Sequence, residues 1–264
     1  MLIDTHCHID APEFDLDRHA VLEDAFAAGV DKVVIPAVCA NNFSEVIALS
    51  KQYAPCYYAL GWHPMYIEAA KPDDMPALSQ IVTQQLAHDN KLVAIGEIGL
   101  DLFATTQNLE TQTHYFVEQL KIAQQFDLPV ILHVRRAVDE VLKQLRRYRV
   151  RGGIAHAFNG SLQQAEMFQQ LGFKLGFGGA MTYPRALKIR ALAQQLPLES
   201  IVLETDAPDI PPEWLGHGGR NSPKELVKIA EILAELKGMP VSQIIEITGK
   251  NSLQVLPKIA HLCT

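Results

Sequence analysis

Short runs of β-branched and apolar residues recur along the chain, over residues 2–5, 32–36, 57–60, 92–95, 129–132, 153–155, 173–175 and 201–203, each giving way to a polar turn. Between them the apolar positions change to helical spacing. Val21, Leu22, Ala25 and Phe26 share one helical face with Gly29 placed to end it, and Leu162, Ala165 and Phe168 do the same ahead of Gly172. Apolar strands alternating with amphipathic helices predict a parallel sheet covered by helices, because such strands need apolar cover on both faces. Eight βα units predict closure into a TIM-type (β/α)8 barrel, an α/β fold. The Pro- and Gly-rich stretch 208–223 follows the last strand, where a barrel carries an active-site loop, and residues 223–256 read as helices closing the barrel. No linker, low-complexity tract or charge block divides the chain, so residues 1–264 read as one barrel domain.

Composition agrees with this picture and narrows the surroundings. At 264 residues and 48% apolar, the chain can bury a large core. Cys7, Cys39, Cys56 and Cys263 lie far apart without a C-x-x-C pair, so neither a zinc ribbon nor a disulfide framework is expected, and a reducing compartment fits. Met1-Leu2-Ile3-Asp4 runs straight into a polar His/Asp cluster, without the basic and apolar segments of a secretory signal, and no apolar run approaches a membrane span. A cytoplasmic protein with no membrane and no obligate protein partner is therefore expected. A net charge of -7 argues against a scaffold that grips long nucleic acid. An enzyme that takes a phosphodiester end into a local site remains open, since bound dications would be the largest charges there.

The ionisable residues fall at strand ends. His6 and His8 follow the first strand, Glu97 the fourth, His133 the fifth, His156 the sixth and Asp206 the eighth. In a barrel these ends converge on one mouth, where such enzymes keep their catalytic groups. His6 and His8 are two apart in an extended segment and share a face while Cys7 points away, as a packed core thiol. Any one of these histidines alone reads as a hydrogen-bonded rim residue; the convergence of six ligand-type residues on five strand ends reads as a metal site. The mixed imidazole and carboxylate set does not select among Mg, Mn and Zn. Glu97, between two groups of histidines, is expected to bridge two divalent ions, with His6, His8 and Asp206 on one and His133 and His156 on the other.

These residues lie in segments that resemble the TatD-type metal-dependent deoxyribonucleases of the amidohydrolase superfamily. The matching segments are Ile3-Asp4-Thr5-His6-Cys7-His8, Gly61-Trp62-His63-Pro64, Gly96-Glu97-Ile98-Gly99-Leu100-Asp101, Pro129-Val130-Ile131-Leu132-His133, His156-Ala157-Phe158-Asn159-Gly160, Glu204-Thr205-Asp206-Ala207-Pro208 and Arg220-Asn221-Ser222-Pro223. They run in family order across nearly the whole chain. The resemblance implies a TIM barrel, a divalent-metal centre and hydrolase activity, with 3′–5′ exonuclease action on DNA in some members. Ala157 and Asn159 stand where the family often has cysteine and serine, and Leu102-Phe103 where it often has an aromatic pair, departures that bear on the substrate and not on the ligands. Thr182-Tyr183-Pro184-Arg185 points to one of the family's less characterised branches.

Two divalent ions would activate water and polarise the scissile phosphoryl or carbonyl oxygen while Asp206, both ligand and base, takes the nucleophile's proton. Asp206 and Glu97 are thus the expected catalytic pair. His63 is read either as a phosphate contact or leaving-group acid, or as a buried partner of Trp62 or backbone. Arg135, Arg185 and Arg220 are expected phosphate or carboxylate contacts, because guanidinium presents a planar fork of donors, whereas Arg136 reads as a solvated helix face. Tyr183 and Asn221 complete the expected substrate contacts, Asn221 also as an organiser of the last loop, and Asp101 is expected to position the Glu97 loop. The leading functional reading is a phosphodiesterase acting on DNA ends. Hydrolysis of a lactone, an amide or a mischarged aminoacyl-tRNA ester is the alternative from the same centre. A non-catalytic metal-binding barrel is the alternative from another class.

Overall fold

A computed structural model describes residues 1–103 and 108–262 of the chain; Cys263 lies outside the described residues. Eight parallel strands, β1 (Ile3–Asp4), β2 (Lys32–Pro36), β3 (Cys56–Leu60), β4 (Leu92–Asp101), β5 (Val130–Arg135), β6 (Gly153–Ala155), β7 (Phe173–Phe177) and β8 (Ile201–Leu203), pair in sequence order. The ends of the sheet meet where Thr5 N donates to Leu203 O at 3.1 Å and Asp206 N to His6 O at 2.8 Å. This is the TIM-type barrel that the βα period predicts.

Helices α1 (Arg18–Ala28), α2 (Phe43–Gln52), α3 (Asp74–His88), α4 (Leu109–Gln125), α5 (Val138–Arg147), α6 (Leu162–Gln170) and α7 (Leu187–Gln195) connect the strands, and α8 (Leu226–Lys237) and α9 (Val241–Val255) follow β8. Gly29 ends α1 at φ 107°, a left-handed conformation that a Cβ disfavours. Inside the barrel, Ile3, Val34, Tyr57, Val93, Ile131, Ile154 and Val202 form a second apolar cluster, which Val255, Leu256 and Ile259 from the end of the chain plug. Alternation along a strand then dictates what lies above this layer: two residues after Ile131 comes His133, two after Ile154 comes His156, and two after Val202 comes Glu204. No helix among the described residues is long and apolar enough to cross a membrane.

The strands that carry Glu97 and His133 are longer than their apolar runs. β4 continues beyond the apolar run 92–95 through Gly96 and Gly99, and its register against β5 slips between Ile95 and Ile98. These glycines serve close packing: a Cβ on Gly96 would lie 2.8 Å from the Cβ of Ile131, and one on Gly99 2.0 Å from the His133 carbonyl oxygen. β4 thereby packs closely against β5 between Ile95 and Asp101, and Glu97 and His133 lie within the strands and not in loops.

Candidate metal centre

Glu97 lies at the floor of the mouth, buried, and its two carboxylate oxygens face different histidines. Oε2 is 3.0 Å from His6 Nε2 and 3.4 Å from His8 Nε2. Oε1 is 2.9 Å from His133 Nδ1, 3.5 Å from His63 Nε2 and 3.7 Å from His156 Nε2. Asp206 Oδ1 stands 3.4 Å from His6 Nε2 and 3.7 Å from His8 Nε2. Three sets have ligand atoms within 4.8 Å of one another: His6 with His8 and Glu97, His6 with His156 and Asp206, and His63 with Glu97 and His133. All six residues singled out as ligands from the sequence are therefore brought together, and His63 is added to them.

Surrounding groups fix these side chains. His133 Nε2 lies 2.9 Å from Asp101 Oδ2, which turns Nδ1 towards Glu97. Asp101, at the end of β4, thus reaches Glu97 through the His133 ring, and its other oxygen accepts the Phe103 N–H at 2.8 Å. Glu204 accepts the Ala157 N–H at 2.5 Å and reaches to 3.3 Å from His156 Nδ1. Asp4 accepts Thr205 Oγ1–H at 2.6 Å, tying the end of β1 to the segment that carries Asp206. His63 Nδ1 accepts the Met65 N–H at 3.1 Å, so its proton sits on Nε2, directed at Glu97. The backbone-partner reading of His63 therefore holds for one edge of the ring while the other faces the site. Cys7 is fully buried in the main core, as its parity requires.

The electrostatics follow from burying carboxylates among imidazoles. Burial works against charge on Glu97, but His6, His63, His156 and the bond to His133 outweigh it and hold the carboxyl well below its usual range. Burial also opposes protonation of His8 and His156, yet Glu97, Asp206 and, for His156, Glu204 raise them to about 9 and about 10. Burial pushes Asp206 up to about 6 and His63 down to about 3. Among the described residues, five have left-handed backbone without being glycine; Arg136, Ala157, Asp206 and Ile210 line the mouth, and Asp127 does not. Such conformations persist only where surrounding structure holds them, and they gather at functional sites.

The mouth is a cleft of about 1520 Å³. Its wall from β4 to β7 carries Phe103, Arg135, Arg136 and Lys188, and its wall from β8 through β1 to β2 carries Asp209, Asp10, Glu13 and Glu45. Arg135 lines the cleft as expected. Arg136 does too, against the helix-face reading, because it precedes α5 and its φ of 55° turns it to the mouth. His63 lines it as well, whereas Tyr183, Arg185, Arg220 and Asn221 do not. Arg220 is held by both oxygens of Asp17, at 2.9 and 2.6 Å, and by the Glu13 carbonyl. Asn221 is fully buried and donates to the carbonyls of Thr205, Asp209 and Ile210, so it organises the loop after β8 and offers nothing to a substrate. Tyr183 donates to Pro211 O and stacks on His217, and Arg185 is exposed elsewhere. Sequence reasoning passed over Glu204 and Lys188. Parity could have found Glu204, which stands two residues before Asp206 in the same motif.

A parallel barrel with buried imidazoles and carboxylates gathered at the carboxyl ends of its strands defines a metal-dependent hydrolase, and the relatives agree. Residues 3–257 match the family described as TatD related DNase. The chain is 45% identical over 251 residues to the metal-dependent hydrolase YjjV of Escherichia coli, covering 95% of each chain. The crystal structure of that TatD homologue superimposes with a TM-score of 0.91, at 44% identity over 97% of this chain and 98% of the other. Human deoxyribonuclease TATDN3 is 34% identical over 275 positions, covering 99% of this chain and 96% of its own. This chain belongs to the TatD-related DNase family.

Proposed function

We propose that the chain is a phosphodiesterase that shortens DNA from the 3′ end with two divalent ions, of Mg, Mn or Zn. The observation that carries this reading is the division of Glu97, whose two oxygens serve two separate sets of imidazoles at the floor of a cleft with one cationic wall. The donor set fits such ions: imidazole and carboxylate atoms crowd within ion-binding range, and His8 and His156 take up as protons the positive charge that the buried carboxylates demand. His6, His8, Glu97 and Asp206 would hold one ion, and Glu97, His133 and His156 the other. Bound there, the ions would supply Lewis acidity and an activated water. Asp206, with burial raising it towards neutrality, is placed to take the proton of the attacking water. Asp101 keeps His133 in orientation through a hydrogen bond, and Glu204, 3.3 Å from His156 Nδ1, is placed to steer His156 by charge.

The acidic wall of Asp10, Glu13, Glu45 and Asp209 favours a second reading, hydrolysis of a carbonyl ester or amide that bears an amine. Hydrolysis of short single-stranded DNA labelled at its 3′ or 5′ end decides between them, using metal-free protein restored with Mg²⁺, Mn²⁺ or Zn²⁺ and Glu97→Ala and Asp206→Ala as controls. Metal-dependent loss of the 3′ label first, abolished in both variants, is the expected result. Metal bound at full stoichiometry without DNA turnover would move the reading to carbonyl substrates.

A further inference from the structure

Arg135 and Arg136 are neighbours in sequence, and along a regular strand their side chains would point to opposite sides. They do not. Arg135 ends β5, the left-handed backbone of Arg136 reverses the second side chain, and both guanidinium carbons come to rest on one ring, 3.7 Å and 4.5 Å from the centre of Phe103. Phe103 is 46% exposed on the rim of the cleft. Two like charges thus share one support, and among the described residues no carboxylate lies within ion-pair distance of either. The arrangement is the opposite of Arg220, whose guanidinium is fully engaged by Asp17.

We propose that Arg135 and Arg136, supported by Phe103, form a fork for a phosphate that flanks the scissile one in a nucleic-acid strand. Paired guanidinium planes present convergent donors suited to a phosphate dianion or diester, and apart from the attraction between Arg135 and Asp101, which falls short of an ion-pair contact, their donors are left for such a group. The position follows from the walls of the cleft. A polyanionic strand meets repulsion from Asp10, Glu13, Glu45 and Asp209 and is admitted over the β4–β7 side, where Lys188, bonded to Asn159 O at 3.2 Å, extends the cationic arc beyond the fork. This inference rests on the phosphodiesterase reading and adds to it the side of the mouth over which the strand runs.

The test compares kcat/KM for a thymidine dinucleoside monophosphate, which has no flanking phosphate, with that for a thymidine tetranucleotide. The wild-type protein is expected to prefer the tetranucleotide by roughly tenfold or more. In Arg135→Ala/Arg136→Ala the preference falls to about twofold or less, in Arg135→Lys/Arg136→Lys part of it survives, and in Phe103→Leu it falls with both charges still present. Should the alanine variant fail to fold, the other two carry the comparison. A preference undiminished in these variants, or an equal loss on both substrates, overturns the fork. If the wild-type protein cleaves neither substrate, the phosphodiesterase reading fails, and binding of a fluorescein-labelled tetranucleotide judges the fork alone. Binding that weakens in the arginine variants, with a salt dependence shallower by about 0.7 per lost contact, keeps the fork; identical binding removes it.

Discussion

Asp101 Oδ2 and His133 Nε2 meet at 2.9 Å, and the ring so held presents its other nitrogen to Glu97 Oε1 at the same distance. The chain of carboxylate, imidazole and carboxylate crosses from the last residue of β4 to β5 and back to the middle of β4. Orientation of a ligand ring by such a partner is worth about 10–100-fold in metal affinity. Asp101→Ala is therefore expected to weaken Mn²⁺ or Zn²⁺ binding by that factor in calorimetric titration of the metal-free protein. Asp101→Asn, whose side-chain carbonyl can still accept, is expected to lose less. An unchanged isotherm in Asp101→Ala would remove Asp101 from the site.

Asn221 is a structural residue of the loop after β8. Its amide donates to three carbonyls, those of Thr205, Asp209 and Ile210, and its oxygen accepts the Ser222 N–H. Asn221→Ala leaves these buried groups unpaired, at a cost of about 1–3 kcal/mol. Each kcal/mol lowers Tm by about 2–4 °C at this size, so calorimetry resolves the effect. An unaltered Tm would mean that the loop holds its shape without the amide.

The sequence made the barrel legible because every strand and helix repeats the same change of period, and it made the ligands legible because strand-end residues converge in that fold. The contacts that depend on backbone reversal were not legible. Arg136 looked like the start of a helix face, and only its left-handed backbone brings it to Phe103. Arg220 and Asn221 stood in a loop that had to border the mouth, yet side-chain partners decide which way loop residues face, and Asp17 lies 203 positions away from Arg220. Glu97 reads as following a strand because the apolar run ends at Ile95, whereas β4 continues to Asp101 with Gly96 and Gly99 letting it approach β5.

The pair of Arg220 and Asp17 supplies a pH dependence with a definite sign. The hydrogen bond from Arg220, and then its charge, hold the Asp17 carboxyl below its usual value. A carboxyl depressed in the folded state contributes stability above its unfolded value, near about 3.9, and loses that contribution as pH falls through the folded value. Both partners are exposed, so the effect is small. The Tm of Arg220→Gln is expected to lie below that of the wild-type protein between pH 5 and 7 (a window above about 3.9) and to converge with it in stronger acid. A gap that persists unchanged in acid would assign the contribution of Arg220 to its packing over the Phe14 ring.

Gly176 tests whether Glu204 governs His156. A Cβ at this position of β7 would lie 2.1 Å from Glu204 Oε2, so the buried carboxylate must shift towards the cleft that it lines, releasing the Ala157 N–H or moving from His156 Nδ1. Gly176→Ala is therefore expected to keep the barrel's circular dichroism while metal affinity falls by about 10–100-fold and kcat with it, the range seen when a ligand loses its orienting partner. Gly218→Ala, where an added methyl meets nothing within 4 Å, is the matched control. A lower Tm with metal affinity intact would make Glu204 a packing residue, because a displaced carboxylate that leaves the imidazole's binding undisturbed was not orienting it. Loss of affinity with Tm within about 2 °C of the control would instead separate orientation from stability and place Glu204 beside Asp101 as the second carboxylate that aims a histidine at Glu97.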